Sequence, residues 1–348
     1  MTARIRQEIV LSDTRVKGTF RYRDEFQILP MPPDAPVLHW AIGHHPFLLE
    51  YTYNVPDVAE TRHDPSMPDY LIHSVIDREA SEIVKKWLLL VLFAFSRDRV
   101  FQYAEASNDQ SWFQQCPTNV KNADIVRQPL WGQKGYNHPS LYPRILECFS
   151  SSEAAAIPLQ DTNQYYRLEH PRQYVIGVTE DQFSLPERMK HFLDTYKLLA
   201  DQYQEAFLAS SYMLKQGLEL FYSAPSLSFA ACVSSIEALV QAEHRGEPLQ
   251  RCSECGQPRY HVRRRFIDFM RTYGEDSEKA KRIADKVYKR RSAVLHQGQL
   301  YLGEAKARTL DSALEWSNAD EDRRNVIPFI RLCLINWLIS HASEPGTP

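Results

Sequence analysis

The chain has 348 residues, of which 43% are hydrophobic and 24% charged, and its formal net charge is −3. This length predicts two domains of ordinary size, each able to bury its own core. The weakly acidic total charge gives no sign of a nucleic-acid partner, so only a local concentration of cations would indicate one.

Three features predict a cytoplasmic protein without a membrane contact. The longest apolar run, Trp87–Phe95, has nine residues, whereas a membrane-spanning helix needs roughly 20. The first residues, Met1–Gln7, lack the hydrophobic core of a signal peptide. The six cysteines are mostly scattered through apolar or helical contexts, which is typical of a reducing compartment.

The first half of the chain alternates short strand patterns with turns. Runs of β-branched and aromatic residues predict strands, a long apolar segment predicts a buried helix, and a stretch rich in Asn, Gln and Pro predicts short strands and loops. The strands are expected at 5–11, 18–29, 37–42 and 47–53, the helix at 77–95 and the mixed stretch at 107–185. His44 and His45 lie between two of these strands and are interpreted as a turn.

The second half is predicted to be helical throughout. Apolar residues recur with helical spacing, and Gly274–Ser277 forms a turn and cap between two helices. Helices are expected at 186–222 with a kink near 210–217, and at 229–244, 259–273, 278–296 and 320–341. The predicted fold class is therefore an α+β domain over residues 1–185, followed by an all-α helical bundle over 186–348.

Positive charge is concentrated in one part of the bundle. Between Arg259 and Arg291 there are 12 Lys or Arg residues against 5 Asp or Glu. Such a segment in an acidic chain indicates a local anion site, and a polyanion bound there should dissociate as salt rises. The alternative is a solvated helix face. The candidate RNA-binding residues are Lys289, Arg290, Arg263, Arg264 and Arg265.

An arginine and a histidine close this basic segment. Arg291 and His296 are five positions apart, which places them about 140° apart around an ideal helix. They do not share a face, so we expect them to converge best where two copies of the helix meet. The alternative for His296 is an interaction with the carbonyls of the last helical turn.

The order of three motifs resembles the HEPN superfamily, and most closely its ApeA-like branch. The active-site motif of this family resembles the segment with Arg291, Ser292, His296 and Gly298. The signature of its second helix resembles Ser234–Leu239, in which Glu237 is the acidic residue. A Cys-x-x-Cys-Gly segment found in many members resembles Cys252–Gly256. The resemblance covers roughly residues 190 to 342. Gln297 is a departure, because the family commonly has glycine directly after the histidine. Arg290 also satisfies the spacing, but Arg291 with Ser292 matches the branch better.

This resemblance implies a homodimeric, metal-independent endoribonuclease of bacterial antiphage defence, a toxin that arrests growth during infection. The 2′-hydroxyl of RNA is a weak nucleophile built into the substrate, so the protein need only orient it and move protons. The candidate catalytic residues are Arg291, His296 and Glu237. Arg291 would hold the phosphate, and His296 would act as general base or acid. Glu237 would orient one of these two side chains. A solvated or capping role is the alternative for Glu237. The domain at 1–185 would then sense a phage-derived or protein trigger.

Cys252 and Cys255 have the spacing of metal ligands. His244 and His261 flank them and complete a His-x7-Cys-x2-Cys-x5-His pattern, which predicts a structural zinc on a loop, with no cofactor for catalysis. The spacing is irregular, so a cysteine pair without metal is the alternative.

A different class of function competes with catalysis. The departure at Gln297 favours a non-catalytic RNA-binding or dimerisation module that regulates a partner. The sequence has no Gly-x-Ser-x-Gly, His-Glu-x-x-His, Walker-type or dinucleotide-binding motif, so it offers no sign of those other chemistries.

Overall fold

The computed structural model divides the chain into two compact units, which are described separately. The first comprises Met1–Gln160 and Pro171–Leu185, and the second comprises Asp161–His170 and Pro186–Pro348. The residues that the structure describes are 2–12, 14–32, 45–56, 69–96, 100–101, 144–162, 165, 182–221, 223–247, 250–251, 258–259, 261–274, 277–301, 304 and 326–341.

The first unit is built on an antiparallel sheet. Its two long strands, β1 (Thr2–Ser12) and β4 (His45–Val55), pair along their full length from Thr2 with Val55 to Ser12 with His45. The shorter strands are β2 (Phe20–Tyr22), β3 (Phe26–Pro30), β5 (Val100–Phe101), β6 (Arg144–Leu146), and a separate pair, β7 (Leu159–Gln160) with β8 (Leu185–Pro186). The strand order is β2-β3-β4-β1-β5, with β6 also paired to β1.

Three sequence predictions for this unit need correction. The single strand predicted at 18–29 is a hairpin, because Arg23 adopts a left-handed conformation (φ 50°) between β2 and β3. His45 is not in a turn but begins β4 opposite Ser12. The buried helix α1, Asp69–Phe95, begins eight residues before the predicted start. The strand predicted at 37–42 and the residue His44 lie outside the described residues.

Helix α1 contributes charged groups to the interior of this unit as well as apolar ones. Alternate residues of β1 and β4 share one face of the sheet, which places Glu8 beside Tyr51. Lys85 of α1 lies 2.9 Å from Glu8 (Nζ to Oε2), and the two side chains are only 2% and 5% exposed. Tyr51 donates a hydrogen bond to the same carboxylate at 3.0 Å. The first unit therefore contains a buried ion pair that is also hydrogen-bonded.

The second unit is helical, as predicted, but its first predicted helix is two helices. Helix α2 (Met189–Leu198) ends at Leu198, and α3 (Asp201–Glu219) begins at Asp201, because the two intervening residues, Leu199 and Ala200, are extended (ψ 144° and 148°). Gln204 donates to the carbonyl of Leu199 at 2.9 Å and so satisfies a group that the break exposes. The negative charge of Asp201, in the first turn of α3, stabilises the start of that helix.

Helix α3 is continuous through Ser210–Gly217, and the kink expected there stays a prediction. Gly217 allows close helix packing. A Cβ there would collide with Sγ of Cys232, and the carbonyl of Gly217 accepts a hydrogen bond from Ser228 at 2.6 Å.

The remaining helices follow the predicted order. They are α4 (Pro225–Glu243), α5 (Val262–Tyr273), α6 (Glu278–Gln297) and a last helix described at 326–340. The short strands β9 (Gln250–Arg251) and β10 (Pro258–Arg259) pair before α5. Trp337 and Leu338 of the last helix are fully buried. Within the described residues, no helix combines the length and the apolar character needed to cross a membrane.

Candidate Arg–His site

Helix α6 places Arg291 on its buried side. Ala284, Val287 and Val294 are buried, and Arg291 lies four residues after Val287 and three before Val294, on the same face. Its side chain is consequently only 16% exposed. A guanidinium in such a position requires a hydrogen-bonded partner.

Glu237 of helix α4 is that partner. Nη2 of Arg291 donates to Oε2 of Glu237 at 2.6 Å, and the Glu237 side chain is 17% exposed. Neighbouring residues of α4, including Ile236 and Leu239, belong to the core. The packing of α4 against α6 therefore fixes the carboxylate against the guanidinium.

The surroundings of Glu237 leave its carboxylate incompletely compensated. Burial raises the pKa of this carboxyl above its usual value of 4.5, and this outweighs the opposing effects of Arg291, Ser234 and His296. Oε1 is buried and has no hydrogen-bond partner among the described residues. The pair thus positions Arg291, while removal of the two charged groups from water costs free energy.

His296 meets the other terminal nitrogen of the same arginine. Nη1 of Arg291 lies 3.4 Å from Nε2 of His296, which is exposed. This distance exceeds that of an ordinary hydrogen bond, so the contact is weak. The length of the arginine side chain bridges the angle of about 140° between the two positions.

Arg291 and His296 already approach each other within one chain, and their closer convergence between two copies of the helix stays a prediction. The structure brings Arg291, His296 and Glu237 together within one chain. The long arginine side chain reaches around the helix to do so.

The end of helix α6 explains the orientation of His296. The helix continues one residue past the predicted end, to Gln297, and Gly298 then adopts a left-handed conformation (φ 64°). The backbone N–H of Gln299 donates to the carbonyl of Ala293 at 3.1 Å and closes the end. His296 is therefore the penultimate residue of the helix, and the intervening Gln297 is helical.

Arg290 does not join this group. Its guanidinium lies over the ring of Tyr301, 4.1 Å from the ring centroid, in a cation–π contact. Of the two arginines that satisfy the motif spacing, Arg291 is the one beside His296.

The other predicted RNA-binding residues pair with three different carboxylates. Arg263 (Nε) and Lys289 (Nζ) both contact Asp285, each at 2.8 Å. Arg265 pairs with Glu247 at 2.7 Å, and Arg264, whose side chain is 81% exposed, lies 3.6 Å from Asp268. Arg263 and Lys289 thus share one carboxylate, between α5 and α6.

The four predicted metal ligands are only partly placed. Cys252 and Cys255 lie outside the described residues. Nδ1 of His244 is 2.7 Å from Glu247, and His261 is exposed in a left-handed conformation (φ 46°) just before α5. The described residues contain no cluster of metal-binding side chains, so the zinc site remains a prediction.

Comparison of the chain with family models, curated proteins and solved structures finds no match.

Sequence reasoning missed the residues that complete the surroundings of Lys289. A groove between α5 and α6 is also lined by Lys281, Arg282, Asp285 and Lys286. Their spacing of three to four residues on one helix was visible in the sequence, and it places them on the same face as Lys289.

Proposed function

We propose that this protein is a metal-independent endoribonuclease of the HEPN type, with Arg291 and His296 as its catalytic residues. The observation that carries the proposal is the arrangement of the Arg291 guanidinium: Nη2 is anchored by Glu237, while Nη1 points to within 3.4 Å of Nε2 of His296. A phosphate oxygen bound by Nη1 would lie next to the imidazole, so one site combines a fixed positive charge with a group that moves protons near neutral pH.

The reaction uses the substrate's own nucleophile. Nε2 of His296 takes the proton of the 2′-hydroxyl, the 2′ oxygen bonds to phosphorus, and the bond from phosphorus to the 5′ oxygen breaks. Arg291 stabilises the charge that develops on the phosphate. A second proton passes to the 5′ oxygen, and we propose that His296 of a second copy supplies it. The products are a 2′,3′-cyclic phosphate and a 5′-hydroxyl.

Glu237 acts as a positioning residue in this scheme. It holds the guanidinium through Nη2 and leaves Nη1 directed at the scissile phosphate. We further propose that the setting is antiphage defence, with the first unit recognising the trigger. The support for this setting is the resemblance of the motifs between roughly residues 190 and 342.

The test is cleavage of cellular RNA in the presence of EDTA by the wild-type protein and by His296→Ala. We expect the wild type to produce ends that carry a 2′,3′-cyclic phosphate, and His296→Ala to be slower by about 10²–10⁴-fold, the usual contribution of a general acid or base. His191→Ala, which removes an exposed histidine of α2, is the matched control and should cleave like the wild type. Equal cleavage by wild type and His296→Ala, or loss of wild-type activity with EDTA, would contradict the proposal.

A second candidate function is an RNA-binding or dimerisation module without catalysis. The observation that favours it is that Glu237 already pairs with Arg291 inside the chain, which reduces the positive charge offered to a phosphate. Binding of RNA that survives Arg291→Ala, with no product from the wild type at any protein concentration, would favour this function over the first.

A further inference from the structure

The groove between helices α5 and α6 has a strong excess of positive charge. It encloses about 510 Å³. Five cationic side chains, two acidic ones and Ile267 line it. The cationic residues are Arg263, Lys281, Arg282, Lys286 and Lys289, and the acidic ones are Glu278 and Asp285. The charges indicate an anionic ligand.

The charged face of α6 leads directly to His296. Lys289 and His296 are seven residues apart, so they lie about 20° apart around the helix and about 10 Å apart along it. Lys281 and Arg282 lie about two turns before Lys289 on the same side. The groove and the imidazole therefore share one continuous face, which extends about 22 Å from Lys281 to His296.

The cations of this face can turn towards a ligand. The side chains of Arg263, Lys281 and Lys289 are 54%, 49% and 65% exposed. Asp285 contacts both Arg263 and Lys289, and it holds their charged ends at the rim of the groove. Exposed pairs of this kind contribute little to stability, so a phosphate can compete for the cations.

We propose that this groove binds the sugar-phosphate backbone of the RNA strand on one side of the scissile linkage. The inference rests on the proposed ribonuclease function and adds the path of the substrate. With at least 3.4 Å between phosphates along a strand, a face of about 22 Å accommodates on the order of five phosphates. The described lining has no aromatic side chain on which bases could stack. The groove therefore provides affinity and register, not sequence preference.

The test is binding of a fluorescein-labelled uridine oligomer of about twelve nucleotides to the full chain. His296→Ala is used as the background so that the oligomer stays intact. We expect Lys281→Gln/Arg282→Gln to weaken binding by about tenfold or more at low salt. The slope of log affinity against log salt should fall by about 1.4, since each lost contact to a single strand removes about 0.7. Arg188→Gln/Lys190→Gln removes the same two residue types from exposed positions around the start of α2 and should bind like the background protein.

A substitution of opposite sign sharpens the test. Asp285→Asn removes a negative charge from the same groove and should tighten binding several-fold, because the charge that competes with phosphate is gone. Tight binding of polyglutamate, competitive with the oligomer, would show that the groove takes acidic peptides and would overturn the proposal. Unchanged RNA binding by Lys281→Gln/Arg282→Gln would also overturn it.

The two proposals fail in different ways. If the wild type cleaves RNA and Lys281→Gln/Arg282→Gln raises neither KM nor the dissociation constant, the groove proposal is wrong and the ribonuclease stands. If the binding pattern holds and the wild type forms no product, the groove is an RNA site and the ribonuclease proposal is wrong. Melting temperatures of all variants, expected to match the background protein, show that each remains folded.

Discussion

At the scale of single residues, the site depends on how one arginine divides its donors. Arg291 gives Nη2 to a half-buried carboxylate and directs Nη1 towards a solvent-exposed imidazole. The planar guanidinium makes this possible, because its donors are fixed in a fork; a lysine has one charged nitrogen and cannot hold a carboxylate and a phosphate in that geometry.

The raised pKa of Glu237 predicts how stability should depend on pH. A carboxyl whose pKa is higher in the folded than in the unfolded protein stabilises the fold while it is protonated. This contribution is fully present below the pKa of the unfolded protein, near 4.5, and is lost as pH rises through the folded pKa. The free energy of unfolding of the wild type, minus that of Glu237→Gln, should therefore fall as pH rises above about 4.5. Urea titrations between about pH 4 and about pH 8 measure this difference.

Glu247 provides a control of opposite sign. A hydrogen bond from His244 is the main cause that lowers its pKa below 4.5, so its contribution is present above the unfolded value and lost as pH falls through the folded pKa. The corresponding difference for Glu247→Gln should rise with pH. If the Glu237 difference also rises, the attraction of Arg291 outweighs burial and our account of the pair is incorrect.

At the scale of secondary-structure elements, the end of helix α6 determines where His296 points. Gly298 has φ 64°, and a Cβ added there would meet no atom within 4 Å. Gly298→Ala should therefore destabilise the protein through backbone strain alone, by about 1–2 kcal/mol. We also expect a loss of RNA cleavage, because relief of the strain would unwind the last turn, which carries His296.

Gly246 is the matched control for this change. It lies in the turn after α4, has φ 85°, and likewise has open space where a Cβ would be. Gly246→Ala should lower the melting temperature to a similar extent and leave cleavage unchanged. If both variants lose activity equally, the effect is one of stability, and the orientation of His296 at the helix end is not the cause.

At the scale of the whole molecule, each unit has an interior of its own, and the first contains a buried ion pair. Lys85→Met would remove one of the two cations that contact the buried Glu8 and leave Arg6, at 2.8 Å, as the other; the cost should therefore stay below the roughly 3–5 kcal/mol of a buried charge with no partner. Hydrogen exchange should then show reduced protection of Thr2–Ser12 and His45–Val55, with protection of Pro225–Glu243 unchanged. Equal loss of protection in both units would show that they unfold as one cooperative structure.

Much of the second unit could be predicted because its helices follow local rules. The starts of α5 and α6 lie within three residues of their predicted positions, since apolar spacing, the Gly274 turn and an acidic first turn are properties of the sequence. The break at Leu199–Ala200 was missed because neither residue disfavours a helix; the burial of Leu199, which is 3% exposed, is a feature of the tertiary structure. The hairpin at Arg23 was missed because its left-handed conformation occurs at a residue that rarely adopts one.

The sequence by itself determined the residue types of the candidate site and its setting: an arginine and a histidine at the end of a basic helix, within a helical half of the chain. It also contained the signal that Arg291 is buried, because this residue continues the apolar spacing of Val287 and Val294. Only the tertiary structure decided that Glu237, 54 positions away, receives the arginine, and that α5 closes one side of the groove leading to His296. Spacing along a helix determines which side chains share a face, whereas the packing of two helices determines which charges meet at the interface between them.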